Sequence, residues 1–251
     1  MKCINFKDHL SKIEKPIGGW ISLDSSEIHE MIIEAFDWVA VDLEHSTLSL
    51  KDAQRIVEKS WSRKKPCLIR ISSKTDDEIK SVLDAGASGI IAPNIKSAEE
   101  AENIIKKMFY PPHGERGVGL YRAQDYGQDF EGYSDFQENS LTFIPQIEHV
   151  DGVKNLDSIL GMKKVDGFFI GPYDLSASIG DRGNFSNPQF LECLKTIDDL
   201  KTDKFKGYHL VHYSMETEAS LIANGYNLIA YSSDMILLSS KIDEFIKQLQ
   251  S

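Results

Sequence analysis

Apolar residues recur along this chain in two alternating rhythms. Short, dense apolar runs fall at Gly19–Leu23, Trp38–Leu43, Cys67–Ile71, Gly89–Pro93, Leu141–Ile147, Gly167–Ile170, Gly207–Val211 and Leu228–Tyr231. Between them, Ser26–Ala35, Leu50–Ser62, Asp76–Ala85, Ala98–Met108, Val153–Leu160 and Met215–Asn224 carry apolar positions three and four apart. The first set predicts strands and the second helices. Thr75 ahead of Asp76, Asp77 and Glu78 predicts a capping box, with Gly86 closing that helix. Ser97, followed by Glu99 and Glu100, starts the next one.

Strands alternating with helices predict an α/β fold, either a closed parallel barrel or a doubly wound open sheet. The first run ends in Leu23-Asp-Ser-Ser, without the glycine-rich turn that opens most dinucleotide-binding sheets. The expectation is therefore a single (β/α)₈ TIM barrel. Six of the runs finish in polar residues: Asp42-Leu-Glu44-His45, Arg70-Ile-Ser-Ser, Pro93-Asn94, Gln146-Ile-Glu148-His149, Gly171-Pro172-Tyr173-Asp174 and Ser232-Ser-Asp234. In a barrel all those ends meet at one mouth, where active sites are built. The Gly-, Pro- and Tyr-rich stretch Phe109–Asn139 breaks the rhythm and is expected to form a lid or wall over that mouth.

Length and charge narrow this picture. Residues 1–251 suit one barrel domain, and no Pro/Gly/Ser-rich linker divides them. A formal net charge of -11 argues against nucleic acid and against an anionic membrane surface. No run approaches the roughly 18 apolar residues of a membrane span, and the N-terminal stretch lacks the apolar core of a signal peptide, so the cytoplasm is the expected compartment. The three cysteines are widely spaced and show no metal-type pairing.

Two polar groups carry candidate chemistry. Gln146 and Glu148, two apart on a strand, share a face, and Asp174 follows the next strand but one turn. Two carboxylates plus water and substrate oxygens suit Mg²⁺ or Mn²⁺; alternatively Glu148 pairs with an arginine and Asp174 caps the following segment. In the second group, His45 beside Asp42 and Glu44 can act as acid or base near neutral pH, and Arg70 can stabilise an enolate oxygen. The competing reading is a buried Asp42–Arg70 ion pair that only fixes neighbouring strands. His209-x-x-His212 has ligand-like spacing, but residues three apart on a strand face opposite sides. Arg116-Gly-Val-Gly119 is either an anion cradle or a hinge. No nucleophile elbow is present, and no lysine falls within the apolar runs, which favours metal activation over a Schiff base.

Taken together these residues resemble the HpcH/HpaI aldolase/citrate lyase family. The resemblance rests on Phe36–His45, Arg70 after Pro66-Cys-Leu-Ile, Asp84-Ala-Gly-Ala, Tyr110–Gly119, Gln146-Ile-Glu148 and Asp166–Ser176. It implies a pyruvate/phosphoenolpyruvate-type barrel with a divalent cation (Mg²⁺, Mn²⁺ or Co²⁺) held by Glu148 and Asp174. It further implies that pyruvate chelates the metal, that Arg70 stabilises the enolate and that His45 transfers protons. Asp42 would orient, Asp84 would support from behind, and Gln146, Gly171, Pro172 and Tyr173 would hold the pyruvate end. Carbon–carbon bond formation or cleavage between pyruvate and an aldehyde is the implied reaction, with a sugar-derived aldehyde as a candidate acceptor. Members are homo-oligomers, often dimers assembled into hexamers through an exchanged C-terminal helix, a part that Lys241–Leu249 is suited to play.

The chain departs from the family at Tyr173, where a small residue is common, in the aromatic Leu120–Tyr133 segment, at His209-Leu-Val-His212 and at Ala230–Asp234. Both Tyr173 and the aromatic segment are expected to shape the aldehyde side. Three rival readings stay open: an acyl-CoA lyase, a phosphoenolpyruvate-dependent condensing enzyme, and a non-catalytic binding barrel.

Overall fold

The computed structural model of the protein describes residues 3–250. Eight strands, β1 (Ile17–Ile21), β2 (Trp38–Asp42), β3 (Cys67–Arg70), β4 (Gly89–Ala92), β5 (Thr142–Ile147), β6 (Gly167–Ile170), β7 (Phe205–Leu210) and β8 (Leu228–Tyr231), close into a barrel in sequence order. Every neighbouring pair is parallel, and β8 returns to β1. The expected α/β barrel is the fold.

Side-chain alternation along each strand divides the core in two. Trp20, Trp38, Ala40, Leu68, Ile91, Ile144, Phe169, Leu228 and Ala230 fill the barrel. Their neighbours Val39, Val41, Ile69, Ile90, Phe143 and Phe168 face outward onto helix residues such as Ile33, Ile56, Ile79 and Ile104. Each such fully buried aliphatic side chain contributes about 1.5–3 kcal/mol. The helix Phe6–Leu10, too short to announce itself by periodicity, closes the N-terminal end of the barrel. Phe6 sets its ring edge-on to Trp38 at 5.5 Å and to Phe205 at 5.8 Å.

Several expectations need correction. β1 and β7 each begin two residues before the apolar run that marks them, so Lys206 lies within a strand after all. Its ammonium points outward, donating to the backbone carbonyls of Asp198 (3.2 Å) and Asn224 (2.9 Å) at two helix ends. Val153–Leu160 is not one helix but parts of two, Val150–Lys154 and Leu156–Leu160. Thr75 makes no side-chain cap; Glu78 instead reaches back to the N–H groups of Ser72 (3.1 Å) and Ser73 (2.6 Å). Gly86 does close its helix, at φ +100°, with the Trp61 ring so near that a Cβ there would come within 2.2 Å of it.

The Phe109–Asn139 stretch is not a lid over this chain's mouth. It leaves the end of the helix Ala98–Met108 and returns to the start of β5, so it runs at the opposite end and over the outer helix ring. A 3₁₀ segment, Arg122–Gly127, and a helix, Phe130–Asn139, give it structure of its own. Arg122 pairs with Glu58 at 2.9 Å and lies over the Trp61 ring.

The terminal helix Asp234–Gln250 starts from an anchor and then leaves the core. Asp234 accepts from the N–H of Ser22 and of Leu23 (both 3.0 Å) and is the helix's one buried residue. Leu238, Ile242, Phe245 and Leu249, spaced along one face, are 43–67 % exposed together with Leu237. Among the described residues no helix is long and apolar enough to cross a membrane.

Candidate active site

On β2, Trp38 and Ala40 point into the barrel, so Asp42 does too, one layer higher; on β3, Leu68 places Arg70 in the same layer. The register sets Asp42 directly beside Arg70. Arg70 Nε donates to Asp42 Oδ1 at 2.9 Å and Nη2 donates to Oδ2 at 2.5 Å, with both side chains nearly inaccessible. Two-pronged pairing of this kind fixes the guanidinium plane as well as its position. Asp42 also accepts from the backbone N–H of Glu44 (2.9 Å) and His45 (3.1 Å). Burial works to raise the Asp42 carboxyl, but Arg70 and these N–H groups outweigh it and hold it below the usual carboxylate range.

The other faces of Arg70 are occupied too. Glu44 Oε2 lies 3.3 Å from Nη1, and the guanidinium sits over Trp20, 5.2 Å from the ring centre. Beneath Trp20 stacks His209, centroids 4.5 Å apart and planes within 17°. The His209 Nε2 bonds to the Ser232 carbonyl at 3.0 Å. Burial, helped by the nearby Arg70 charge, lowers this imidazole to about 4, so it is neutral at physiological pH.

Across the mouth, Ile144 points inward, hence Gln146 and Glu148 follow it upward. Glu148 accepts from the Asn94 N–H at 2.7 Å and from Gln146 Nε2 at 2.6 Å. Burial pushes its carboxyl up to about 7, and the carboxylates of Asp174 and Glu44 push the same way. Glu44 is likewise raised, by burial first and against the pull of Arg70. Asp174, in the first turn of the helix Pro172–Ser178, has no hydrogen bond or ion pair among the described residues. Gly171 completes the wall: a Cβ there would stand 2.5 Å from Glu148 Oε2 and 2.8 Å from Gln146 Nε2.

This is a donor set short of positive charge. Among the described residues no group of three or more His, Cys, Asp or Glu side chains is placed to hold a metal, but a hard cation needs only one or two carboxylates, its other positions going to water and substrate oxygens. Glu148, raised by burial and by the Asp174 carboxylate, and Asp174 itself fit that role. Gln146 Oε1, buried without a hydrogen-bond partner, is a further oxygen atom that a cation or its water would satisfy.

Not every expected residue joins this group. His45 is at the mouth, 63 % exposed, its Nε2 3.9 Å from Glu44 Oε2; Asp42 holds its backbone, not its ring. The ion-pair alternative for Asp42–Arg70 is thus realised, and it serves to aim Arg70 rather than His45. Asp84 is elsewhere. It ends the helix Asp76–Asp84, far down the barrel, and pairs with the fully buried Arg116. Arg116-Gly-Val-Gly119 accordingly supplies an internal ion pair. His209 and His212 share no metal group but border one small pocket, because β7 ends at Leu210 and the chain turns. Trp20 and Glu44 contact Arg70 without having been singled out; Glu44 was visible in the Asp42–His45 run, whereas nothing local marks Trp20.

The sequence profile described as HpcH/HpaI aldolase/citrate lyase matches residues 17–240. The chain is 32% identical to the 2-keto-3-deoxy-L-rhamnonate aldolase of Escherichia coli (strain K12) over 251 residues, covering 98% of this chain and 93% of that one. The structure superposes on an HpcH/HpaI aldolase/citrate lyase family protein from Burkholderia cenocepacia J2315 with a TM-score of 0.89, at 25% identity and 98% coverage of both chains. An HpcH/HpaI aldolase from Desulfitobacterium hafniense DCB-2 gives 0.88, also at 25% identity, over 99% of this chain and 97% of that one.

Proposed function

Since the chain belongs to the HpcH/HpaI aldolase/citrate lyase family and is an aldolase, we propose that it acts with a divalent metal to form or cleave a 4-hydroxy-2-oxo acid, with pyruvate and an aldehyde as the partners. The observation that carries this reading is the meeting of one rigidly aimed arginine with a surplus of carboxylates at the mouth.

A cation held by Glu148 and Asp174 (Mg²⁺, Mn²⁺ or Co²⁺) would supply Lewis-acid polarisation of the 2-oxo group. Everything else is work for the protein's own groups. Gln146 spends one amide N–H on Glu148 and keeps the other for the 2-oxo acid, with the N–H groups flanking Pro172, which has none of its own. In the cleavage direction His45 takes the proton of the C4 hydroxyl. The C3–C4 bond then opens, the aldehyde leaves, and the electron pair moves toward C2 so that the C2 oxygen becomes negative. Arg70, held in plane by Asp42, faces that oxygen with its remaining N–H groups, where a fixed donor lowers the barrier by about 3 kcal/mol. Protonation at C3 releases pyruvate.

Metal dependence is tested by replacing both carboxylates. Glu148→Ala with Asp174→Ala should remove all stimulation of pyruvate turnover by Mg²⁺ or Mn²⁺. Undiminished metal stimulation in the double variant would sink the assignment. Acyl-CoA or phosphoenolpyruvate use is separated by assaying thioester cleavage and phosphate release on the same preparations.

The exposed apolar face of the terminal helix supports a homo-oligomer in which a neighbouring subunit covers it. Phe245→Glu should shift the sedimentation profile toward smaller species; an unchanged profile would contradict that assembly.

A further inference from the structure

The Glu148 carboxylate is held from two sides. Gln146 Nε2 donates to Oε2 at 2.6 Å, and the backbone N–H of Asn94 donates to Oε1 at 2.7 Å. That N–H comes from a chain that has just left β4. Asn94 takes a left-handed turn there, at φ +50°. Its own N–H reaches the Glu148 side chain, while the next one, of Ile95, donates to the Gln146 carbonyl at 3.1 Å. A non-glycine residue stays in that backbone region only where its surroundings hold it. Asn94 is solvent-exposed, so packing does not fix it.

Lys74 supplies the hold. Its ammonium crosses from the connection after β3 and donates to the Asn94 carbonyl at 2.8 Å. Glu100 is the other acceptor nearby, but it lies 3.7 Å from the ammonium and its Oε2 already takes the Lys96 N–H at 3.0 Å. Lys74 is fixed in turn by Lys107, whose ammonium donates to the Lys74 carbonyl at 2.7 Å and pairs with Asp76 at 3.0 Å. A chain of contacts thus runs from Lys107 through Lys74 and Asn94 to Glu148.

We propose that Lys74 is a positioning residue for Glu148: it clamps Asn94 in its left-handed turn and so fixes the carboxylate that is offered to the cation. The assignment rests on the reading of Glu148 as a metal ligand. The charge of Lys74 would by itself do the reverse. Burial lowers the Lys74 ammonium while Glu100 and Glu148 pull it back up, so a cation at Glu148 is within reach of its repulsion. Deleting that charge tightens cation binding if charge is all that matters. Deleting a support that orients a ligand weakens binding by roughly 10-fold or more. The two effects have opposite signs.

The test titrates Mn²⁺ into the full-length protein by calorimetry, without substrate. Lys74→Met should bind Mn²⁺ roughly 10-fold more weakly than the native chain. Adding Asn94→Gly to Lys74→Met should restore most of that affinity, because glycine adopts the left-handed turn without a clamp. Mn²⁺ binding in Lys74→Met that equals or exceeds the native affinity overturns the proposal, and so does a double variant no better than Lys74→Met. Glu148→Ala separates this inference from the reading beneath it. If that variant binds Mn²⁺ like the native chain, or the native chain binds none, the metal reading is what has failed. The clamp is then read from hydrogen exchange at the amide of residue 94 in the metal-free protein. Faster exchange in Lys74→Met, slowed again by Asn94→Gly, upholds the clamp; equal exchange in native and Lys74→Met protein overturns it.

Discussion

Two buried arginine–aspartate pairs sit at different heights in this barrel, and they invite comparison. Arg116 and Asp84, deep in the helix ring, are walled in. Arg116 lies over Tyr110 at 5.0 Å and Tyr133 at 5.5 Å and donates to the Tyr133 hydroxyl at 3.0 Å. Tyr133 in turn donates to the Leu83 carbonyl. Arg70 and Asp42, at the mouth, look alike at first, with an aromatic face beneath the guanidinium, although here two prongs rather than one meet the carboxylate. The difference lies in what surrounds each. Around Arg116 one cation meets one carboxylate and the remaining partners are neutral. Around Arg70 stand Asp42 and Glu44, and behind burial the neighbouring carboxylates help raise two groups: Asp42 and Asp174 push Glu44 up, and Asp174 and Glu44 push Glu148 up. A matched pair holds the fold together; an unmatched surplus of negative charge is what the proposed cation would neutralise.

The sharpest way to separate the two pairs is to break each. Arg116→Ala strands a buried carboxylate and removes the lid of two tyrosines, so it should cost about 3–5 kcal/mol of stability. For a chain this size that is a fall in Tm of roughly 6–20 °C. Turnover per folded molecule should hardly change, and a variant with native Tm would erase the distinction.

Arg70→Lys is the complementary change. It keeps the charge opposite Asp42 but loses the planar fork. Turnover should fall by roughly 100-fold or more, or about 3 kcal/mol, with the melting temperature moving far less than in Arg116→Ala. Near-normal turnover would remove Arg70 from the enolate role.

A smaller effect concerns the stack beneath Arg70. His209 is lowered to about 4 in the folded chain from an ordinary value near 6.5, so the native state favours the neutral ring. Its contribution to stability is complete above about pH 6.5 and is lost as pH falls through that range toward 4. Between about pH 7 and pH 5 the loss should be about 2 kcal/mol. His209→Phe, which keeps a stacked ring without a proton, should flatten that part of the urea-unfolding profile. An equally steep profile in the variant would assign the acid sensitivity elsewhere.

Gly171→Ala should have the mildest effect of the four. The added Cβ must displace the Glu148 and Gln146 heads, and a roughly 10-fold weaker Mn²⁺ affinity is expected. Calorimetric titration checks it; unchanged affinity would mean that Glu148 is not a ligand.

The mouth was largely legible from sequence because strand alternation carries it. Once Trp38 and Ala40, or Ile144, are assigned inward, the polar residues two further on have only one direction to point. Asp42, Arg70, Gln146, Glu148 and Gly171 follow from that rule, whereas Asp174 arrives through the first turn of the helix that follows β6. Asp84 and the Phe109–Asn139 stretch were misplaced for a shared reason. Both belong to helix ends and helix-to-strand connections, which in a (β/α)₈ barrel lie at the end opposite the mouth, whatever motif they carry. Trp20 and His209 could not be paired in advance, since they come from β1 and β7 and only barrel closure stacks them. The plug helix Phe6–Leu10 is shorter than two turns and leaves no periodic trace.

The central claim is that the mouth makes a pyruvate enolate, and it can be tested without knowing the aldehyde. Pyruvate in deuterated water is followed by proton NMR with the protein and Mg²⁺, with chelator, and with Arg70→Lys in place of the native chain. The account predicts loss of the methyl signal that requires the metal and slows by roughly 100-fold in the variant. A methyl signal that persists with every divalent metal, or that exchanges equally well in Arg70→Lys, would contradict it.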